Sequence, residues 1–180
     1  MTTQADFTPE EWQTILTSPT VVGATVMLAA TSGPIGTVKE MIAVGKAVAN
    51  VIEKGSSNSL VQSLAQDAKA RIEAQTAKQP DQEVKLDPEV EQKIKGAKSA
   101  EAARAVLMQE VSEVAALVTS KASADEAQGF KQWLMDIAVQ VAQAAKEGGF
   151  LGFGGTLVSD TEKAALNELS GVLGVPAPAA

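Results

Sequence analysis

The chain has 180 residues, of which 45% are hydrophobic, 21% charged and only 3% aromatic, with a net charge of −7. It contains no His, no Cys and no Tyr, which excludes imidazole general bases, Ser-His-Asp triads, thiolate nucleophiles, disulfides, iron–sulfur clusters and zinc or haem sites built on His or Cys. Carboxylates, Lys, Arg, Ser and Thr remain for any chemistry, and the metals they suit are hard, oxygen-preferring ions such as calcium or magnesium. Residues 1–79 carry 7 acids and 6 bases, and residues 80–180 carry 15 acids and 9 bases. Without a basic block or interleaved aromatics, nucleic acid is not an expected partner, and anionic lipid is disfavoured for the same reason.

In chain order, Thr8-Pro9-Glu10-Glu11 has the form of a capping box with Pro at the first helical position, and it predicts a short helix through Trp12, Ile15 and Leu16. Ser18-Pro19 reads as a second start, giving a separate helix over about Pro19–Ala30. No charged residue occurs from Trp12 to Val38. That span exceeds the roughly 20 residues needed to cross a bilayer, but it holds two prolines, three glycines and six threonines. It is therefore expected to be broken, buried and central in a soluble core. The first positive charge is Lys39, so no basic secretory leader is expected and the compartment is read as cytoplasmic.

A third helix is predicted from Ile35 or Thr37 to Lys54, and a fourth over Ser59–Ala77 with a stripe of Leu60, Leu64, Ala68 and Ile72. Residues 78–88 read as a linker, so that one helical domain over 1–175 or two halves, 1–77 and 89–175, are both open. Asp87-Pro88 starts a short charged helix to Lys95. Ser99 starts a long one to Thr119 or Ser120, with Ala103, Leu107, Val111, Val114 and Val118 on one face. Ser123-Ala124-Asp125-Glu126 is a capping box before Phe130, Trp133, Leu134, Ile137, Val141 and Ala144, with Trp133 at the core edge. Ser159-Asp160-Thr161-Glu162 caps the last helix, which carries Ala165, Leu166, Leu169 and Leu173, and residues 176–180 form a frayed tail. The fold class is all-α: a compact bundle of seven or eight helices.

Three groups of residues are candidates for function. The run Gly148-Gly149-Phe150-Leu151-Gly152-Phe153-Gly154-Gly155 lacks the Lys and the preceding strand of a phosphate loop. Its Phe150, Leu151 and Phe153 are expected to fold back as core plugs or, failing that, to form a contact loop for a partner or a membrane face. Glu40 and Asp136 are isolated carboxylates in apolar helices; solvent exposure is the default for each, and convergence on a divalent cation, or on Lys39 or Lys131, is the alternative. Glu110 and Glu113, one turn apart, read as a solvated face, as do Glu10 and Glu11.

The C-terminal segment resembles the end of a family of small, uncharacterised bacterial helical proteins, with which Trp12, Gly33-Pro34 and Lys39-Glu40 also agree. It further resembles tellurite-resistance TerB-like domains, whose closing loop and helix read Asp-Gly-x-x-Ser-x-x-Glu-x-x-x-Leu. Ser159, Glu162 and Leu166 match that pattern, while Gly155 and Thr156 stand where Asp-Gly is expected. The resemblance implies a helical fold, a stress-response setting and divalent-metal binding. Two functional expectations follow: a non-enzymatic interaction or scaffold protein that binds a protein partner or its own copy without a cofactor, and a TerB-like stress protein that holds calcium or magnesium on carboxylates.

Overall fold

The computed structural model describes residues 1–29, 34–76, 88–144 and 159–178. Among these the protein is all-α: a 3-10 turn at Gln4–Asp6 precedes α1 (Pro9–Met27), α2 (Pro34–Lys54), α3 (Ser59–Thr76), α4 (Pro88–Ile94), α5 (Ala100–Lys121), α6 (Ala124–Ala144) and α7 (Asp160–Leu173). The linker 78–88 predicted from composition and the glycine run at 148–155 fall almost wholly outside the described residues. No described helix is long and apolar enough to cross a membrane.

The predicted break at Ser18-Pro19 is absent, and α1 runs straight through Pro19. Proline in a helix interior removes the bond to the carbonyl four residues earlier, here Ile15 O. The preceding residue replaces it: the Ser18 hydroxyl donates to Ile15 O at 2.7 Å. One residue further back, the Thr17 hydroxyl lies 3.2 Å from both Gln13 O and Thr14 O. The signal read as a second start is thus an internal repair, and tertiary burial outweighs the local preference for ending the helix. The start at Thr8 is as expected, with Thr8 Oγ1 accepting from Glu11 N and Glu11 reaching back to Thr8 N at 2.8 Å. The next helix begins at Pro34, ahead of the predicted Ile35 or Thr37.

α1 is the axis of the bundle and touches all the other described helices, α2 to α7. Every residue from Val21 to Val26 is buried, which an amphipathic surface helix never shows. The absence of charge between Trp12 and Val38 is explained for its α1 part by this surround, since an unpaired charge there would have to be desolvated. Thr25, fully buried, donates to Val21 O at 2.8 Å and so leaves no polar group unsatisfied. Closest approach is set by Gly23: a Cβ at that position would sit 2.5 Å from Val44 Cγ2 on α2 and 3.7 Å from Val141 Cγ2 on α6.

α6 is the second scaffold, packing against α1, α2, α3, α5 and α7. The stripe read from the sequence, Leu107, Val111 and Val114 on α5 with Leu134, Ile137 and Val141 on α6, is buried at 0–1% exposure. One apolar cluster includes residues from both sides of the 78–88 segment, from Trp12, Ile15 and Leu64 to Phe130, Leu134 and Leu169. Trp133 is at the core edge as predicted, partly buried, its ring 6.0 Å from that of Phe130.

Two substitutions test this packing. Ile137→Ala should lower the unfolding free energy by ~2–5 kcal/mol, the range for truncating a well-packed core residue. Gly23→Ala should cost roughly 1–3 kcal/mol because the Val44 methyl has to yield. Urea melts at fixed pH read both, and a Gly23→Ala protein as stable as the parent would mean that α1 and α2 are further apart than described.

Candidate functional site

The polar side chains drawn toward the interior gather at places where helices have to be tied together. The densest cluster lies where the N-terminal ends of α3 and α6 meet. Ser123 precedes α6, and its hydroxyl accepts from Glu126 N at 3.3 Å, as the capping box predicts. The reciprocal half of the box does not form. The Glu126 carboxylate takes the Ser123 hydroxyl at 2.8 Å, the Ser59 hydroxyl from α3, and Thr2 twice: its backbone N–H at 2.8 Å and its hydroxyl at 2.9 Å. Asn58 completes the joint. Its Oδ1 accepts from Leu60 N and Val61 N at 3.1 Å to cap α3, and its Nδ2 donates to Glu126 O at 2.8 Å. Gly129 makes room for that amide, since a Cβ there would lie 2.7 Å from Asn58 Nδ2.

Hydrogen bonds from Ser59, then from the Thr2 backbone and Ser123, hold the Glu126 carboxyl far below the ordinary carboxylate range, against the opposing effect of burial. Donors aimed at both oxygens favour the charged form, which explains the direction. Glu11 is lowered too, chiefly by Lys121 and then by the Thr8 backbone.

Further polar contacts link separate helices. Trp12 Nε1 donates to Asp67 Oδ2 at 2.8 Å, and Arg71 bridges the same carboxylate at 3.2 Å to Gln13 Oε1 at 2.8 Å, fastening α1 to α3. Lys93 pairs with Glu110 and ties the short α4 to α5. Arg104 Nη2 meets Glu168 Oε2 at 2.9 Å between α5 and α7. Glu110 corrects the reading of a solvated Glu110–Glu113 face: it is 7% exposed and ion-paired, while Glu113 stays in solvent. The two are three residues apart, but Glu110 is drawn onto α4 while Glu113 takes Gln109 of its own helix, a difference that only the packing defines.

The candidates named from sequence fare differently. Asp136 is exposed, the default expectation, and accepts from Gln132 Nε2 at 3.0 Å. It borders an open trough with Met135, Val139 and Pro176–Pro178. The Glu40 side chain lies outside the described residues, as do Phe150, Leu151 and Phe153. Among the described residues no three Asp or Glu side chains gather as a metal-binding group. Ser159 and Glu162, which carry the TerB-like resemblance, form a complete capping box on α7. Ser159 N donates to Glu162 Oε2 at 2.7 Å and Glu162 N to Ser159 Oγ at 3.3 Å.

Sequence reasoning missed the Thr2–Ser59–Glu126 cluster. Ser123 and Glu126 were legible as a helix start, but nothing local signals partners 67 and 124 residues away. No protein family, curated protein or solved structure matches the chain; the class defined by the fold is an all-α bundle built around a buried axial helix.

The Glu126 cluster makes stability depend on acid in a definite direction. A carboxyl whose pKa falls on folding stabilises the folded state fully above its ordinary value of 4.5 and loses that contribution as the pH drops below it. Glu126→Gln should therefore be less stable than the parent at neutral pH, with the difference shrinking on acidification. Urea midpoints from about pH 6 to about pH 3 measure it; a constant gap between the two proteins across that range would contradict the assignment.

Proposed function

We propose that the protein is a non-catalytic helical interaction module of a bacterial cytoplasm, working by presenting a low-charge helix face to another protein. The observation that carries this reading is the outward side of α5. Ala102, Ala105, Val106, Gln109, Ser112 and Ala116 are all exposed there around the Glu113 carboxylate, which accepts from Gln109 Nε2 at 3.1 Å, and Val106 is 43% exposed. The opposite side of the same helix is core, and the small exposed residues flanking Glu113 allow close approach of a second helix. The inward-turned carboxylates Asp67, Glu110, Glu126 and Glu162 support a structural rather than a chemical use of the acidic groups. Each is already engaged by donors within the molecule. A protein partner or a second copy suits this face, and the net charge of −7 disfavours nucleic acid.

The test separates the α5 face from the Phe150–Phe153 loop. Ala105→Glu with Ala116→Glu, both at solvent-exposed sites, should leave the melting temperature within the small range usual for surface changes. The pair should weaken self-association or partner capture as read by light scattering and native pull-down. Phe150→Ala and Phe153→Ala form the second arm. A fall of roughly 3–5 kcal/mol in stability for at least one identifies a core plug, whereas unchanged melting with lost binding moves the contact surface to the loop. Unchanged association in all these variants would sink the interaction reading. The divalent-cation alternative is tested by melting the parent with calcium, magnesium or manganese, because a ligand specific for the native state raises its stability.

A further inference from the structure

The N-terminal segment is attached by different means from the helices. Thr2 and Phe7 are buried at 5% and 8% exposure, while Thr3, Gln4, Ala5 and Asp6 between them are exposed. The remaining attachment is polar: Thr2 to Glu126 and Ser59, the Met1 ammonium to Glu126 at 3.7 Å, Gln4 N to Ser63 Oγ on α3 at 3.3 Å, and Lys121 Nζ to Asp6 O at 3.4 Å. Phe7 rests on the Trp12 indole at 5.8 Å between ring centroids and beneath Lys121 Nζ at 5.5 Å.

The elements on either side do not need this segment to stay folded. α1 is capped by its own Thr8 and Glu11. The α3–α6 joint keeps Ser59, Ser123 and Asn58 on Glu126 without Thr2. The backbone at Phe7 and Thr8 is extended, a conformation any residue adopts, so a hinge there requires no strained state. Once detached, the Gln4–Asp6 turn is too short to hold itself, because a single helical turn is not stable alone. The segment is therefore docked as a whole or free as a whole.

We propose that Thr2–Phe7 is a hinged strap that opens and closes on the intact bundle with Glu126 as its latch. Opening bares a notch formed by Ser59, Ser63 and Glu126 at the N-terminal ends of α3 and α6, and uncovers one face of Trp12. Local opening at a free energy below that of global unfolding is the behaviour of elements with few buried apolar contacts. The proposal is independent of the α5 reading, since the strap meets α5 at Lys121, beyond the Ala102–Ala116 face.

Amide hydrogen exchange followed by NMR on the full chain tests it. The reporters are Asp6 and Phe7, whose N–H groups bond to Thr3 O and Gln4 O at 3.1 Å, with Gln4 as the contact to Ser63 and with Leu64 and Leu134 for the core. In the parent, Gln4, Asp6 and Phe7 should exchange faster than Leu64 and Leu134. Glu126→Gln should accelerate all three by a common factor of roughly tenfold or more, as expected on losing hydrogen bonds to a charged group, while Leu64 and Leu134, which feel only the lower global stability, stay slower than the strap. Thr2→Ala removes one hydroxyl, leaves the α3–α6 joint intact and should give the same pattern with a smaller factor. If Glu126→Gln unfolds the bundle, Thr2→Ala decides alone. Strap amides that exchange at the core rate would overturn the proposal, as would a Thr2→Ala variant in which they do not accelerate.

Discussion

The complete enclosure of the Val21–Val26 stretch of α1 is the constraint on which the architecture depends. A helix buried on all sides has to be free of charge, has to bond its hydroxyls to its own backbone, and has to supply surfaces that several neighbours can meet at once. Val21, Val22, Ala24 and Val26 supply the apolar surface, Thr25 and Ser18 turn their hydroxyls onto main-chain carbonyls, and Gly23 sets the distance to α2 and α6. With few aromatics available, volume is filled by branched aliphatic chains and Ala. Helix axes can then approach closely, and small changes of side-chain volume are felt.

Charge is distributed around that axis in a consistent way. The ties from Trp12 to Asp67, Lys93 to Glu110, Arg104 to Glu168, and Glu126 to Ser59 and Thr2 all join different elements. An apolar core of similar aliphatic residues is permissive about which helix neighbours which, because hydrophobic contact is not directional. Hydrogen-bonded carboxylates are directional, and removing one partner leaves a costly unpaired group. The partly buried ties therefore discriminate among arrangements that the core alone would accept.

The same economy bears on function. Without His, Cys or Tyr, the acidic groups are the natural candidates for chemistry, yet those withdrawn from solvent are tied to structure. Weakly polar surface remains on the outer side of α5, and a detachable segment covers the α3–α6 joint.

The sequence by itself determined the class of fold, most of the helix limits and the core. Capping boxes at Thr8 and Ser159, the cap at Ser99 and the periodicity of Leu107, Val111, Ile137 and Val141 are local signals with local causes, and each appears where it was read. The break at Pro19 was a local signal overruled by burial. Tertiary structure alone decided that Glu110 is buried and ion-paired while Glu113 is exposed. It also turned Glu126 to Thr2 and Ser59 rather than back to the Ser123 N–H of its own cap. Those outcomes depend on which helices lie side by side, and hydrophobic periodicity tells which face of a helix is buried but carries no information about the neighbour that buries it.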